Sequence, residues 1–238
     1  ANYEVSVTAQ PSDPPQICTV VNGSGVISLS NVTDIEVTCD EAYTIGGIVS
    51  GLLGEGLALQ NNGGDNLELL ADGNFTFPSA IQSGGDYSVT VANQPSMPSQ
   101  TCTVSSGSGN VSNANITDVN VLCETNSFVV GGSVSGLLGE GLTLQNNGAD
   151  TLIVTENGPF SFEIPLRDLS EYDVTVSVQP ANPAQRCSVE NGFGSLNGAD
   201  RMDVRVVCVE LERRIFEDDF ELGGAKRQSS YDFPVPQH

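Results

Sequence analysis

Residues 49–63 read VSGLLGEGLALQNNG, and residues 134–148 read VSGLLGEGLTLQNNG, the one change being Ala58 against Thr143. The copies lie 85 residues apart, and the offset holds onward without insertion. Phe75 and Phe77 meet Phe160 and Phe162, Tyr87 meets Tyr172, Cys102 meets Cys187 and Cys123 meets Cys208. Solenoid units run about 20–50 residues, so this period is that of a small autonomous domain. The chain is a string of like domains.

Outward from that stretch, local patterns predict short strands and turns. Ile45 to Ser50 forms a strand entering the Gly-rich turn 51–56, and Leu57 to Gln60 forms the next. Asn61-Asn-Gly-Gly-Asp is a turn, because Asn and Gly tolerate positive φ at little cost. Leu67 to Leu70 and Phe75 to Phe77 are expected strands, with Ala71-Asp-Gly-Asn as a tight hairpin between them. Tyr87, Val89 and Val91 alternate with Ser88 and Thr90, the mark of a half-buried strand. Gly107-x-Gly109, recurring at Gly192 and Gly194 and at Gly23 and Gly25, is read as a bent hairpin between two Cys-bearing strands. No helix follows it and no basic charge is near, so it is not a phosphate loop. No segment shows a convincing helical period. The expected fold is all-β, a tandem array of antiparallel β-sandwich domains.

The repeat also sets the boundaries. Residues 43–125 and 126–209 are complete copies. Residues 1–42 align with the back half of a copy at an offset of 84, through Tyr3, Gln10-Pro11, Cys18 and Cys39. Residues 210–238 break the pattern with mixed charge, Gly223-Gly224 and a Pro-containing end.

Cys18 and Cys39, Cys102 and Cys123, and Cys187 and Cys208 are each 21 apart. A metal site would group thiols as C-x2-C with His, but each repeat offers two thiols and no His. Cys102 shares strand parity with Val104, and Cys123 with Val119 and Val121. Three intra-repeat disulfides lying inside the cores are therefore expected, in an oxidising compartment. Each closes a loop of about 20 residues, worth roughly 3 kcal/mol in the chain-entropy model. A small domain without Trp benefits from that staple.

The net charge is −22, and no Lys or Arg precedes Arg167. Nucleic acid, which needs clustered Lys and Arg, and anionic membrane surfaces are disfavoured. No apolar run approaches the roughly 20 residues of a membrane span; any secretion leader is expected to have been removed before Ala1. No calcium-loop motif is present, and no metal or cofactor is expected. The only His is His238, and every Cys has a partner, which leaves a Ser–His or Cys–His nucleophile without its base. Paired carboxylates would need a cleft, which an ~80-residue sandwich rarely holds. The chain is not expected to be an enzyme.

The order G-x-V-x-G-L, L-x-L-x-N-x-G, D/N-G-x-F-x-F and Y-x-V-x-V resembles the transthyretin-like (Ig-like) sandwiches of bacterial surface proteins. Among these are carboxypeptidase-regulatory-like and collagen-adhesin B-type stalk domains. Gly47, Val49, Gly51, Leu57, Leu59, Gly63, Gly73, Phe75, Phe77, Tyr87, Val89 and Val91 carry the likeness, with their partners 85 on. The Cys-bounded segment is similar to tandem repeats of large secreted bacterial adhesins. Ile215-Phe-Glu-Asp-Asp-Phe-Glu is similar to an acidic-aromatic motif near the ends of secreted proteobacterial proteins. The resemblance implies an extracellular or cell-surface stalk or adhesive role. It departs at one point: neither complete repeat has a Lys, so the Lys–Asn isopeptide bond of many B-type domains cannot form.

Two function classes follow. One is a structural or adhesive repeat that self-associates into a filament or longer array. The other is a protein- or carbohydrate-binding module; against it, Trp is absent and the repeats' aromatics fall on core positions. In residues 1–42 the expectation is that Val5, Val7, Val20, Ile35 and Val37 face water beside an open sheet edge, a template for another strand. If Ala1 is a mature terminus, the tail is the candidate donor, with Ile215, Phe216, Phe220 and Leu222 as fillers; the alternative is that the chain is a fragment of a longer repeat array. Such head-to-tail joining does not close and yields filaments. The tail, at 29 residues, could replace some but not all of the missing strands.

Overall fold

The computed structural model describes residues 1–211. Residues 1–43 carry β1 (Asn2–Glu4), β2 (Gln16–Val21), β3 (Ser24–Val26) and β4 (Glu36–Tyr43). The first complete repeat carries β5 (Ile45–Ser50), β6 (Leu57–Asn61), β7 (Asp65–Leu69), β8 (Gly73–Thr76), β9 (Ile81–Gln82), β10 (Asp86–Asn93), β11 (Gln100–Ser105), β12 (Ser108–Asn110) and β13 (Ile116–Thr125). The second carries β14 (Ser127–Phe128), β15 (Val130–Ser135), β16 (Leu142–Asn146), β17 (Asp150–Val154), β18 (Gly158–Ser161), β19 (Leu166–Arg167), β20 (Glu171–Val178), β21 (Gln185–Glu190), β22 (Phe193–Ser195) and β23 (Arg201–Glu210). Among the described residues there is no helix, and the fold is all-β.

Each complete repeat is built on two four-stranded sheets, ordered β12-β10-β6-β7 and β11-β13-β5-β8 in the first copy, with β9 pairing outward to β4 and, in the second copy, β14 pairing with β19. The second copy matches it with β22-β20-β16-β17 and β21-β23-β15-β18. Neighbours are antiparallel except for one pair per copy: β5 runs parallel to β13, and β15 to β23. Alternation explains the core. Leu57 and Leu59 from one sheet, with Ile45, Val49, Val119 and Val121 from the other, join a single buried cluster. Burying each such side chain is worth about 1.5–3 kcal/mol. Phe75 and Phe77 meet edge to face at 5.9 Å and 88°, and Phe160 and Phe162 do the same at 5.9 Å and 90°.

Two local expectations are overturned. Ala71-Asp-Gly-Asn is not a hairpin: β7 pairs with β6 in one sheet, while β8 pairs with β5 in the other. The turn crosses between sheets because the Asp72 carboxylate accepts N–H bonds from Gly51 (3.0 Å) and Leu52 (2.8 Å), tying it to the Gly-rich loop. The hairpin lies one turn earlier, where Asn62 (φ 51°) and Gly63 (φ 71°) join β6 to β7. Likewise Gly107 and Gly109 do not bend a hairpin between the Cys-bearing strands. β11 and β13 pair directly, and the intervening residues leave to place β12 beside β10. Gly109 there lies against the Tyr87 ring, too close for a Cβ to fit comfortably.

Three disulfides are present: Cys18–Cys39, Cys102–Cys123 and Cys187–Cys208. Each joins directly opposed residues of neighbouring strands. In the complete repeats both sulfur-bearing residues are buried. In residues 1–43 only Cys18 is, and Cys39 stands exposed. The expectation that all three bridges lie in a core therefore fails for the first, since no second sheet covers β4 within the described residues.

Gly51 combines φ 77° with a backbone so close to the Cys123 carbonyl that a Cβ would collide with it. Gly63 has φ 71° but open space around it. An Ala at Gly63 meets left-handed strain alone, about 1–2 kcal/mol, and should lower the melting temperature of its repeat by at least ~4–8 °C. Gly51→Val adds the collision and should cost several times more. Calorimetry of the two variants checks the order, and a larger loss for Gly63→Ala would contradict it.

Candidate functional site

Each complete repeat is locked by one buried glutamine at the start of a Cys-bearing strand. Gln100 Oε1 accepts N–H bonds from Leu53 and Gly54, both 2.7 Å, while its Nε2 donates to the Gly51 carbonyl at 2.7 Å. Gln185 repeats the clasp on Leu138, Gly139 and Gly136 at 2.7, 2.9 and 2.7 Å. A second glutamine pins each cysteine: Gln94 accepts from Cys102 N at 2.7 Å and donates to Cys102 O at 3.0 Å. Gln10 and Gln179 do the same to Cys18 and Cys187. The Gly-rich loops are thus held turns in which backbone groups, not side chains, face the lock. The sequence reading missed these glutamines, although Gln16, Gln100 and Gln185 recur two residues before a cysteine.

The two junctions differ. At the second, Asp168 is only 7% exposed, and its carboxylate accepts N–H bonds from Ser99 of the preceding repeat (2.6 Å) and from Gly198 (2.8 Å). Its own N–H donates to the Asn126 carbonyl at 2.9 Å. Asn126 also donates from Nδ2 to Ser99 Oγ at 2.6 Å and accepts from Thr101 Oγ1 at 2.8 Å. Burial pushes the Asp168 carboxyl up, but the N–H groups of Gly198, Ser99 and Leu169 outweigh it, and the group titrates below its ordinary value.

At the first junction the counterparts of Asp168, Asn126 and Ser99 are Ser83, Ala42 and Pro15, since Ala42 N–H donates to the Pro15 carbonyl as Asn126 N–H does to that of Ser99. Pro15 has no N–H to give, and Ser83 accepts only from Asn113, at 3.3 Å. The link reduces to β4 pairing with β9 through Ala42 and Tyr43, and Gln82 donating to Asp40 at 3.3 Å. A cleft of about 480 Å³ opens beside it, lined by Pro11, Pro15, Gln16, Ile17, Pro78 and Ala80 among others.

Residues 1–43 hold two separate pairings, β1 with β3 and β2 with β4. β1 is shorter than its counterpart β10, which gains length by pairing with β6. Val37 is 54% exposed where Val121, its counterpart, is at 0%. Val5 is also exposed, whereas Val7, Val20 and Ile35 are half-buried rather than fully facing water. Ile215, Phe216, Phe220 and Leu222, the candidate donors, and His238 lie outside the described residues.

Among the described residues no group of three or more His, Cys, Asp or Glu side chains gathers in a way that could hold a metal ion. Scanning the chain against protein-family models finds no match, and neither does a search of curated proteins.

Replacing Gln100 with Ala leaves the Leu53 and Gly54 N–H groups and the Gly51 carbonyl without their partner. At about 1–3 kcal/mol per orphaned buried group, denaturant unfolding should show repeat 43–125 losing at least 2 kcal/mol. Gln16→Ala, which has no such loop to hold, should cost far less. For Asp168, a depressed folded pKa means its contribution is fully present above the unfolded pKa and lost as pH falls through the folded value. Asp168→Ala should raise amide exchange at Ser99 and Gly198 at neutral pH, leaving the first junction unaffected. The wild-type chain should show the same change only at strongly acid pH.

Proposed function

We propose that this protein is an extracellular structural or adhesive repeat protein of bacterial, Ig-like or transthyretin-like type, a stalk or filament subunit rather than an enzyme. The observation that carries the reading is the junction built on Asp168, where a backbone donor of one repeat is gripped by a buried carboxylate of the next. Such a contact has value only if the relation between domains matters, as it does in a projecting rod. Three disulfides agree with an oxidising compartment. A net charge of −22 agrees with a crowded surface kept soluble by mutual repulsion.

The proposed joining is head to tail. The uncovered edge of β4 and the exposed Val37 are suited to take a strand from outside residues 1–43. It is supplied either by preceding chain of a longer repeat array or, where Ala1 is a mature terminus, by a neighbour, the tail with Ile215, Phe216, Phe220 and Leu222 being the candidate donor. A second reading, a protein- or carbohydrate-binding module, is favoured by the Pro-lined cleft at the first junction.

Negative-stain micrographs of the whole chain and of a chain lacking residues 212–238 test the joining. The intact chain should form strings longer than one molecule. The deletion should give single units whose residues 1–43 become sensitive to protease. Unchanged assembly after deletion overturns the tail as donor. Single molecules throughout, with a ligand protecting the cleft, favour the binding module.

A further inference from the structure

From the strand order we infer that each complete repeat is a shear-loaded mechanical clamp whose disulfide limits how far it can extend. The inference deepens the stalk reading, but it rests on strand geometry alone. Tension along the string enters a repeat at the start of β5 and leaves at the end of β13. These two strands are parallel and adjacent, with Ile45 opposite Ile116, Gly47 opposite Val119, Ile48 opposite Asn120, Val49 opposite Val121 and Ser50 opposite Leu122. Parallel strands pulled from opposite ends slide along each other, so their hydrogen bonds are strained together instead of opening one by one.

Two features reinforce this. β5 is not an edge strand; its other side pairs with β8 from Gly46–Thr76 to Val49–Gly73. Drawing β5 out breaks both ladders and unburies Ile45 and Val49. Gly47 lets the strands come together at the β13 bulge, where a Cβ would collide with the Val119 carbonyl. The second copy reproduces every part, with β15 between β23 and β18 and Gly132 against Val204.

The disulfide acts after the clamp yields. Load reaching Cys123 passes through the bridge to Cys102, bypassing the segment between them. With a sequence separation of 21, the shielded chain is about 70 Å at a full extension of ~3.3–3.6 Å per residue. An oxidised repeat should therefore release a shorter length than a reduced one.

Single-molecule force spectroscopy on the whole chain, with handles at Ala1 and His238, tests both halves. The expected record has two ruptures of similar force, one per complete repeat, each releasing about 70 Å more once dithiothreitol has opened the bridges. Moving the C-terminal handle to a click-reactive residue at exposed Ala114 pulls β5 and β13 from the same end. The same folded repeat should then unzip at a several-fold lower force. Equal forces in the two geometries, or a released length indifferent to the reductant, overturn the inference. Because the measurement uses isolated molecules, its failure is separable from that of the stalk reading, which stands or falls on assembly and surface location.

Discussion

Everything in a complete repeat depends on its first strand lying inside the sheet that its last strand helps to form. β5 separates β8 from β13, and its outgoing end feeds the Gly-rich loop. That placement gives the loop a fixed position over the Cys-bearing strands, where Gln100 can satisfy three of its backbone groups. It also demands glycine where backbones press together, at Gly47 on Val119 and at Gly51 on Cys123. The disulfide joins β11 to β13 on the opposite side of the same sheet. Packing, polar clasp and covalent staple therefore all bear on one sheet.

Residues 1–43 show what happens without that strand. β2, β4 and the disulfide form as in the complete copies. Yet Val37 and Cys39 are exposed, and Gln16 has no loop to hold. Local pairing and the covalent bridge do not need the second sheet, whereas burial does.

Repeats of the same fold nevertheless meet their neighbours differently. Three positions, Pro15 for Ser99, Ala42 for Asn126 and Ser83 for Asp168, separate a loosely linked junction from a bonded one. Charge favours the same division of labour. With every repeat acidic, the bonded junction is made by backbone N–H groups, hydroxyls and an amide, and the ion pair found among the described residues, Arg201 with Asp203, lies within one repeat. Asp168 is the acid that takes advantage of this, being met by N–H groups instead of cations.

Much was legible in the residues. Period-2 alternation marked Tyr87, Val89 and Val91 as one face, and the 85-residue offset marked which residues recur. Equal cysteine spacing set the pairing, since opposed strands bring equivalent residues together in every copy. All of these are properties of a strand or of its register, and alternation reports them directly. Which strands share a sheet is a different matter. Ala71-Asp-Gly-Asn carries the same turn chemistry whether the chain folds back or crosses over, and only Asp72 reaching the loop at Gly51 decides for crossing. Gln100 reads as an ordinary polar strand residue until a loop 46 residues away is laid on it. Asp168 reads as one acid among 30 until the preceding repeat brings Ser99 to it. A residue's type and spacing determine what it can bond; only the folded chain determines what arrives within reach.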